Sequence, residues 1–298
     1  MTQDVYAKIT TRIVSALRAG VVPWHQPWNA AQGRPRNLIS GKPSRGINVW
    51  LLSGEGGSPF WLTYRQARQI GGHVNKGAKG TTVIFWKFMG RKGGEQDSEK
   101  AGETDRKERG GYAMARAYTV FNAAQCELPA PWAERAQVGV PDMAPAHTIA
   151  ACEKVVSEMP SRPAITHGGS AAFYRQSVDQ VTMPEPGSFE ALELYYSILF
   201  HELTHSTGHA ARLNRATLVD AVRFGDTNYS KEELVAEMGA AFLCGVAGIE
   251  NRTLDNSAGY VQGWLKKLSN DTRLLVQAAS QAQRAADYIL GLESQAEA

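Results

Sequence analysis

The stretch that decides the fold of the C-terminal half is His201-Glu202-Leu203-Thr204-His205, which lies in a segment with helical periodicity at residues 188–207. Residues four apart share one face of a helix, so both imidazoles are placed to bind one metal ion. Glu202 then lies beside the open metal position, where a carboxylate can take a proton from water. The pattern therefore predicts a zinc hydrolase site on a helix.

A catalytic zinc needs three protein ligands, so a third ligand must come from outside this motif. The longer pattern His-Glu-x-x-His-x-x-Gly-x-x-His fits as far as Gly208, but its last position is Ala211, and His209 lies two residues too early. The stronger candidate is Glu233, which belongs to a Glu-x-x-x-Glu helix similar to that of gluzincin peptidases. There Glu237 shares its helix face and is expected to hydrogen-bond the far nitrogen of a ligand histidine.

Other assignments stay open at this point. Glu237, Glu232 or His209 can take the third ligand position, and Glu233 can instead cap its own helix, because a serine stands three residues before it. The two histidines can also be buried residues that bind no metal. In that case Glu202 would be a charge on a core helix without a task.

Given a metal, the expected chemistry is that of a metallopeptidase. The metal lowers the pKa of its water to about 7, and Glu202 takes the proton and later passes it to the leaving amine. Tyr229 and His209 are candidates for stabilising the oxyanion. Zinc is the expected ion, although manganese or cobalt can occupy the same ligands.

Charge divides the chain into two parts. The 298 residues carry a formal net charge of +3. Residues 1–125 contain 19 Lys and Arg against 8 Asp and Glu, a net +11, whereas residues 126–298 contain 13 against 21, a net −8. Five of the seven tryptophans lie in the basic part. A basic, aromatic half joined to an acidic half predicts two domains with different partners.

The basic half has the composition of a single-strand binder. Single-stranded nucleic acid is held by cationic side chains and by aromatic faces on which bases stack. No helix-turn-helix, zinc-finger or RNP signature is present, so binding is expected to be independent of base sequence. The alternatives are that the tryptophans belong to the core, or that the partner is an acidic protein surface. The candidate contact residues are Trp24, Trp28, Arg34, Arg36, Lys42, Arg45, Trp50, Lys76, Lys79, Trp86 and Lys87.

Composition also predicts the domain boundaries. Residues 91–111 contain six basic and six acidic residues and no aliphatic residue larger than alanine, which predicts a mobile polar loop. Residues 128–146 contain four prolines and predict an interdomain linker. The expected fold is α+β with two domains: a basic α/β single-strand-DNA-binding domain at 1–127, and a mainly helical gluzincin-like metallopeptidase domain with a small sheet at 147–298.

Periodicity predicts the main elements of both halves. Residues 3–19 are amphipathic and predict a helix, and the β-branched and aromatic runs at 81–88 and 112–122 predict paired strands. The apolar run at 47–52 fits either a strand or a buried helix. Further helices are predicted at 147–158, 188–207, 230–246, 257–269 and 271–291, with short strands within 171–183.

Two blocks of sequence together resemble the ArdC-type antirestriction proteins carried by conjugative plasmids. The first block contains VPWHQPWN, SRGINVWLL and TYRQARQIGGHVNKGAKGTTVIFWK, and it also resembles the N-terminal region of a plasmid-encoded primase. The second contains SILFHELTHSTGHAARLNR, YSKEELVAEMGAAFL and WLKKL. The resemblance implies single-strand DNA binding, a zincin-like metallopeptidase domain, and protection of incoming plasmid DNA from host restriction during conjugation. It also implies that Glu233 is the third ligand.

Three functional hypotheses follow. The chain is a DNA-protecting protein, a zinc metalloprotease of a host protein that is only localised by its basic half, or a binding protein with a structural or vestigial metal site. A cytoplasmic location is expected because the three cysteines are scattered and odd in number. No apolar run reaches the length of a membrane span, so no membrane partner is expected.

Overall fold

The computed structural model describes residues 5–24, 33–53, 57–89, 112–137, 145–219, 227–250 and 258–292. Helices and small sheets both occur in this part of the chain, which confirms the α+β class. The predicted polar loop at 91–111 and the side chain of Trp28 lie outside the described residues.

A four-stranded sheet organises the N-terminal half. The strands described there are β1 (Arg36–Asn37), β2 (Phe60–Thr63), β3 (His73–Val74), β4 (Thr81–Met89), β5 (Tyr112–Asn122) and β6 (Cys126–Glu127). The sheet order is β1-β2-β5-β4, with β1 and β2 parallel and the other pairs antiparallel, while β3 and β6 form a separate pair. The ribbon of β4 and β5 confirms the strands predicted at 81–88 and 112–122.

The helices of this half include one in the stretch that was predicted to be a linker. They are α1 (Val5–Arg18), α2 (Ile47–Leu52), α3 (Tyr64–Gln69) and α4 (Ala130–Gln137). The apolar run at 47–52 is a helix whose six residues are all buried. In α4, Trp132 and Ala136 pack against the core cluster that contains Leu38 and Phe60. The prediction that 128–146 is a linker is therefore wrong over α4: its proline lies in the first helical turn, where a missing N–H costs nothing.

The C-terminal half is mainly helical with a small sheet. Its strands are β7 (Ala164–His167), β8 (Phe173–Arg175) and β9 (Gln180–Met183), in the order β7-β9-β8. Its helices are α5 (Pro145–Ser157), α6 (Leu192–Ser206), α7 (Ala216–Val219), α8 (Thr227–Ala247), α9 (Ala258–Asn270) and α10 (Leu274–Ile289). The helices predicted in this half are all present. No described helix combines the length and the apolar character needed to span a membrane.

One hydrophobic core joins the two halves. Ile13 of α1 and Trp50 of α2 belong to the same buried cluster as Phe200 of α6 and Phe242 of α8. The hydroxyl of Thr10 donates to the carbonyl of residue 272, just before α10, at 2.8 Å. The basic half is thus packed directly onto the helices that carry the predicted metal ligands.

Candidate metal centre

Helix α6 places His201 and His205 on one face, as their spacing predicts. Their Nε2 atoms lie 3.1 Å apart, and His205 is buried. Helix α8 approaches α6 closely at Gly239, where an added Cβ would stand 2.4 Å from a methyl carbon of Thr204. A side chain at that position would push the two helices apart.

The close approach brings Glu233 of α8 to both imidazoles. Its carboxylate oxygens lie 3.5 Å from Nε2 of His201 and 3.4 Å from Nε2 of His205. Among the described residues these three form a group whose candidate ligand atoms all lie within 4.8 Å of one another. Two imidazoles and one carboxylate are a donor set that suits a divalent metal with an open position. The residues present therefore fit such an ion.

Two further carboxylates face the outer sides of the imidazoles. Glu237 lies 3.8 Å from Nδ1 of His201, and Glu232 lies 3.5 Å from Nδ1 of His205. Both Nδ1 atoms are buried and make no hydrogen bond with a described residue. Carboxylates in these places orient a ligand imidazole and set its tautomer. Glu232, considered above as a ligand, thus takes the outer position that was expected for Glu237 alone.

Arg215 is a residue of the site that the sequence patterns did not single out. Its guanidinium forms a buried ion pair with Glu232 and donates to the backbone carbonyl of Thr204 at 2.8 Å and to Thr207 Oγ1 at 2.5 Å. Thr217 donates a further hydrogen bond to Glu232 at 2.6 Å. Arg215 therefore ties the turn after α6 to α8 and neutralises the carboxylate behind His205. The only sequence signal for Arg215 is its position shortly after Gly208, the glycine that follows the motif.

The histidines and the carboxylates of the site shift one another's pKa values. Burial lowers the pKa of both imidazoles, but the carboxylates, Glu233 above all, outweigh it, so the pKa of His201 is raised and that of His205 is raised well above its usual value. Burial raises the pKa of Glu232, but the close His205 imidazole and the charge of Arg215 lower it to about 2. Protonation of the two imidazoles is therefore favoured in the absence of a metal.

The remaining predicted residues of this half fall into two groups. Glu202 is buried on α6, and its charge contributes to the raised pKa of both imidazoles. His209 lies outside the three-residue group, and its Nδ1 accepts from the backbone N–H of Ala211 at 3.2 Å, so the alternative of His209 as third ligand is wrong. Tyr229 lies on α8, but its side chain is outside the described part of the structure.

Two tryptophans of the basic half do not occupy the place predicted for them. Trp24 is 0% exposed and Trp50 is 4% exposed. The Trp50 ring stacks on Phe242 of α8. Neither ring has an exposed face for a base, so the prediction that they contact DNA is wrong: both are buried in the core that the two halves share.

Two of the predicted DNA-binding arginines lie at the boundary with α10. Arg34 donates to the side-chain oxygen of Gln283 at 2.6 Å, and Arg45 forms an ion pair with Asp287. The Gln283 amide also donates to Asp287 at 2.9 Å. The four side chains thus form one polar network, which holds α10 against the loop that precedes α2.

The other predicted contact residues are more accessible. Lys42, Lys76 and Lys79 are exposed, and Arg36 is half-buried with its guanidinium 6.0 Å from the centre of the Phe60 ring. Trp86 is half-buried on β4, which also contains Lys87, whose side chain lies beyond the described residues. Lys42, Arg45 and Trp86 line the same cavity, whereas Lys76 and Lys79 belong to the turn between β3 and β4.

Comparison with known proteins matches each half separately. Residues 3–121 match the family profile of the N-terminal domain of anti-restriction factor ArdC, and residues 151–281 match that of zincin-like metallopeptidases. The whole fold is similar to two crystal structures of the antirestriction ArdC protein from plasmid R388. The metal-free structure has a TM-score of 0.69 at 35% identity and covers 96% of this chain and 97% of that chain. The Mn(II)-bound structure has a TM-score of 0.72 at 34% identity and covers 97% and 98%.

Two protein sequences are also similar to this chain over nearly its whole length. The uncharacterized protein y4eC of Sinorhizobium fredii is 33% identical over 302 residues, which cover 99% of this chain and 94% of that protein. DNA primase TraC of Escherichia coli is 35% identical over 96% of this chain, but the match covers only 20% of the primase. The chain thus corresponds to nearly all of one relative and to a small part of the other.

Proposed function

The chain belongs to the ArdC antirestriction family, and we propose that it protects incoming plasmid DNA from host restriction during conjugation by binding that DNA as a single strand. The observation that carries the proposal is the charge of residues 1–125, a net +11, in the half that matches the ArdC N-terminal domain. Cations at this density attract the phosphate backbone without regard to base sequence. The similarity to a DNA primase supports DNA as the partner.

We further propose that the second half holds a divalent metal through His201, His205 and Glu233. The Mn(II) in the structure of the R388 protein supports a divalent ion, and zinc or cobalt suits the same donors. When bound, such an ion supplies a Lewis acid that polarises a carbonyl and makes water a stronger nucleophile. The proposed location of the whole protein is the cytoplasm, where the entering strand arrives.

The surrounding side chains would each hold or move a proton at a defined atom. Glu202 is buried beside the two imidazoles, where its carboxylate can accept a proton and return it to a leaving amine. Glu237 and Glu232 face the two Nδ1 atoms and favour the tautomer that leaves each Nε2 free to bind. Arg215 keeps Glu232 ionised in this role.

One substitution separates the antirestriction proposal from a second candidate, a zinc metalloprotease that cleaves a host protein. The buried Glu202 next to three convergent ligand atoms favours this second function. Glu202→Ala is expected to retain metal and single-stranded DNA binding, because Glu202 is not among the ligand atoms. Restriction of transferred plasmid DNA would be scored in recipients that express each variant.

The outcomes of this comparison differ for each function. If Glu202→Ala still protects, DNA binding suffices and peptide hydrolysis is not the mechanism. If protection is lost while DNA binding persists, the metalloprotease becomes the better assignment. A variant with Glu233→Ala that loses metal but still protects would indicate a vestigial metal site.

A further inference from the structure

A cavity of about 480 Å³ lies between the N-terminal sheet and α10. Trp61 of β2, Val83 and Phe85 of β4, and Val276 of α10 give it an apolar wall. Its volume falls within the range of small-ligand sites, and no acidic side chain is among its lining residues in the described structure. A ligand with an apolar, flat body and negative charge would fit these surroundings.

Cations at the rim favour an anion. The Lys42 side chain lines the cavity, is exposed, and makes no ion pair with any residue that the structure describes. Arg45 pairs with Asp287 through Nη2, but its buried Nε has no hydrogen-bond partner among the described residues. Burial and the charge of Arg45 lower the pKa of the neighbouring Arg34 to about 10. Positive charge thus exceeds negative charge at this place.

Exposed aromatic rings lie beside the cavity. Phe85 is 48% exposed and meets Tyr118 of β5 edge to face, with ring centroids 5.5 Å apart. Tyr118 is itself 41% exposed, and Arg116 stands opposite Phe85 in the register of the ribbon. Free aromatic faces close to cations are what an unpaired base and its phosphate require.

We propose that this cavity receives one unpaired nucleobase of single-stranded DNA, with the adjacent phosphate held by Lys42 and the strand continuing past Phe85 and Tyr118. The assignment rests on the proposed DNA-binding function and gives it a location. It replaces the buried Trp24 and Trp50 as base-stacking residues with the exposed Phe85.

The cavity is lined by residues of both halves. Val276 and Ser280 of α10 line the cavity together with residues of the basic half. Helix α10 also packs against α8, which carries Glu233. A base in the cavity would therefore contact both halves of the molecule, and the zincin-like half would form part of the DNA site.

The sharpest test fills the cavity from the side of the C-terminal half, without changing any charge. Ser280→Phe in the full chain places a ring in the cavity, and Gln277→Phe is the matched control, because Gln277 is exposed on the same helix and is not a lining residue. The probe is a fluorescein-labelled 20-nucleotide oligothymidylate. Ser280→Phe should weaken its binding by about ten-fold, the scale of one lost base stack, and Gln277→Phe should bind like wild type.

A second pair of variants tests the phosphate contact. Lys42→Gln should weaken oligothymidylate binding by about three-fold at low salt and reduce the slope of log affinity against log salt by about 0.7, the value for one phosphate contact on a single strand. Lys8→Gln removes one exposed charge of α1 at a residue that does not line the cavity, and it should change both quantities less. Equal effects of Lys42→Gln and Lys8→Gln would contradict a specific phosphate contact at Lys42.

The results separate failure of the cavity assignment from failure of the proposed DNA-binding function. If wild type fails to bind the oligonucleotide at low salt, the DNA-binding function itself fails. If wild type binds and a folded Ser280→Phe binds equally well, the cavity assignment is overturned while the function stands. If Ser280→Phe does not fold, photocross-linking of wild type to an iodouracil-containing strand decides: cross-links to Phe85, Trp86 or Trp61 support the cavity, and cross-links found only elsewhere overturn it.

Discussion

The ring of Trp50 stacks on the ring of Phe242, with centroids 4.7 Å apart and planes inclined by 26°. Trp50 comes from the basic half, and Phe242 comes from α8, the helix that carries Glu233. A tryptophan that looked available to a nucleobase is therefore a structural contact between the basic half and the zincin-like half.

This contact predicts that Trp50 acts on stability rather than on DNA. Trp50→Ala should lower the free energy of unfolding by about 3–5 kcal/mol, as for other large aromatic residues removed from a core. Urea unfolding measures this change. Phe85→Ala is the matched comparison, because Phe85 is exposed: it should change stability by about 0.5 kcal/mol or less but weaken DNA binding. The reverse pattern would contradict the placement of the two rings.

The assignment of ligand and outer carboxylate is tested by two conservative substitutions. Glu233→Gln should abolish stoichiometric binding of Mn(II) or Zn(II), because it removes one of the three convergent ligands. Glu237→Gln should keep one ion per chain and weaken its affinity by about 10–100-fold, as for other residues that orient a ligand histidine. Elemental analysis and calorimetry measure both quantities. If Glu237→Gln lost stoichiometric metal binding and Glu233→Gln kept it, Glu237 would be the ligand and Glu233 the outer carboxylate.

Arg215 is predicted to be essential to the stability of the site. The Arg215 and Glu232 side chains are only 6% and 2% exposed, so Arg215→Met leaves a buried carboxylate without its partner. Loss of one partner of a buried pair costs about 3–5 kcal/mol, and thermal or urea unfolding would report it. The double variant Arg215→Met, Glu232→Leu should recover part of this loss. An Arg215→Met protein as stable as wild type would show that the pair contributes little.

Raising the pH is expected to lower the stability of the metal-free protein and to increase the stability that a bound metal adds. In metal-free protein, the raised pKa of His201 and His205 gives stability that is fully present below about pH 6.5, the pKa of an unfolded histidine, and is lost as pH rises through the folded values. A bound metal must displace these protons, so the stability it adds grows with pH. Melting temperatures across pH 5.5–8.5, roughly the range in which histidine titrates, would be compared in chelator and in excess Mn(II). A metal-induced gain that shrinks with rising pH would contradict this.

Much of the candidate metal centre was predictable because the spacing of its residues along each helix is a local property of the sequence. The spacing of His201 and His205 fixes their shared helix face, and the same argument places Glu233 and Glu237 on a second helix. The role of Glu232 was not predictable, because Arg215 reaches its carboxylate through the turn after α6. The approach of α8 to α6 at Gly239 is likewise a tertiary contact without a sequence period.

The candidate contact residues of the basic half were predicted less well, for a different physical reason. Basic and aromatic composition indicates a partner but does not say which side chains remain on the surface. Trp24 and Trp50 are covered by the shared core, and Arg34 and Arg45 are engaged with α10, far away in the sequence. No sequence motif distinguishes the exposed Phe85 and Tyr118 from the other aromatic residues of β4 and β5.

The central claim, that the basic half holds single-stranded DNA through its phosphates, is tested most directly by the salt dependence of binding. Fluorescence anisotropy of a labelled single strand would be followed with the full chain at increasing salt, with a duplex of the same length as competitor. The account predicts binding at low salt that favours the single strand and falls linearly on log axes, by about 0.7 in slope for each phosphate contacted. Absence of binding at low salt, or binding that does not change with salt, would contradict it.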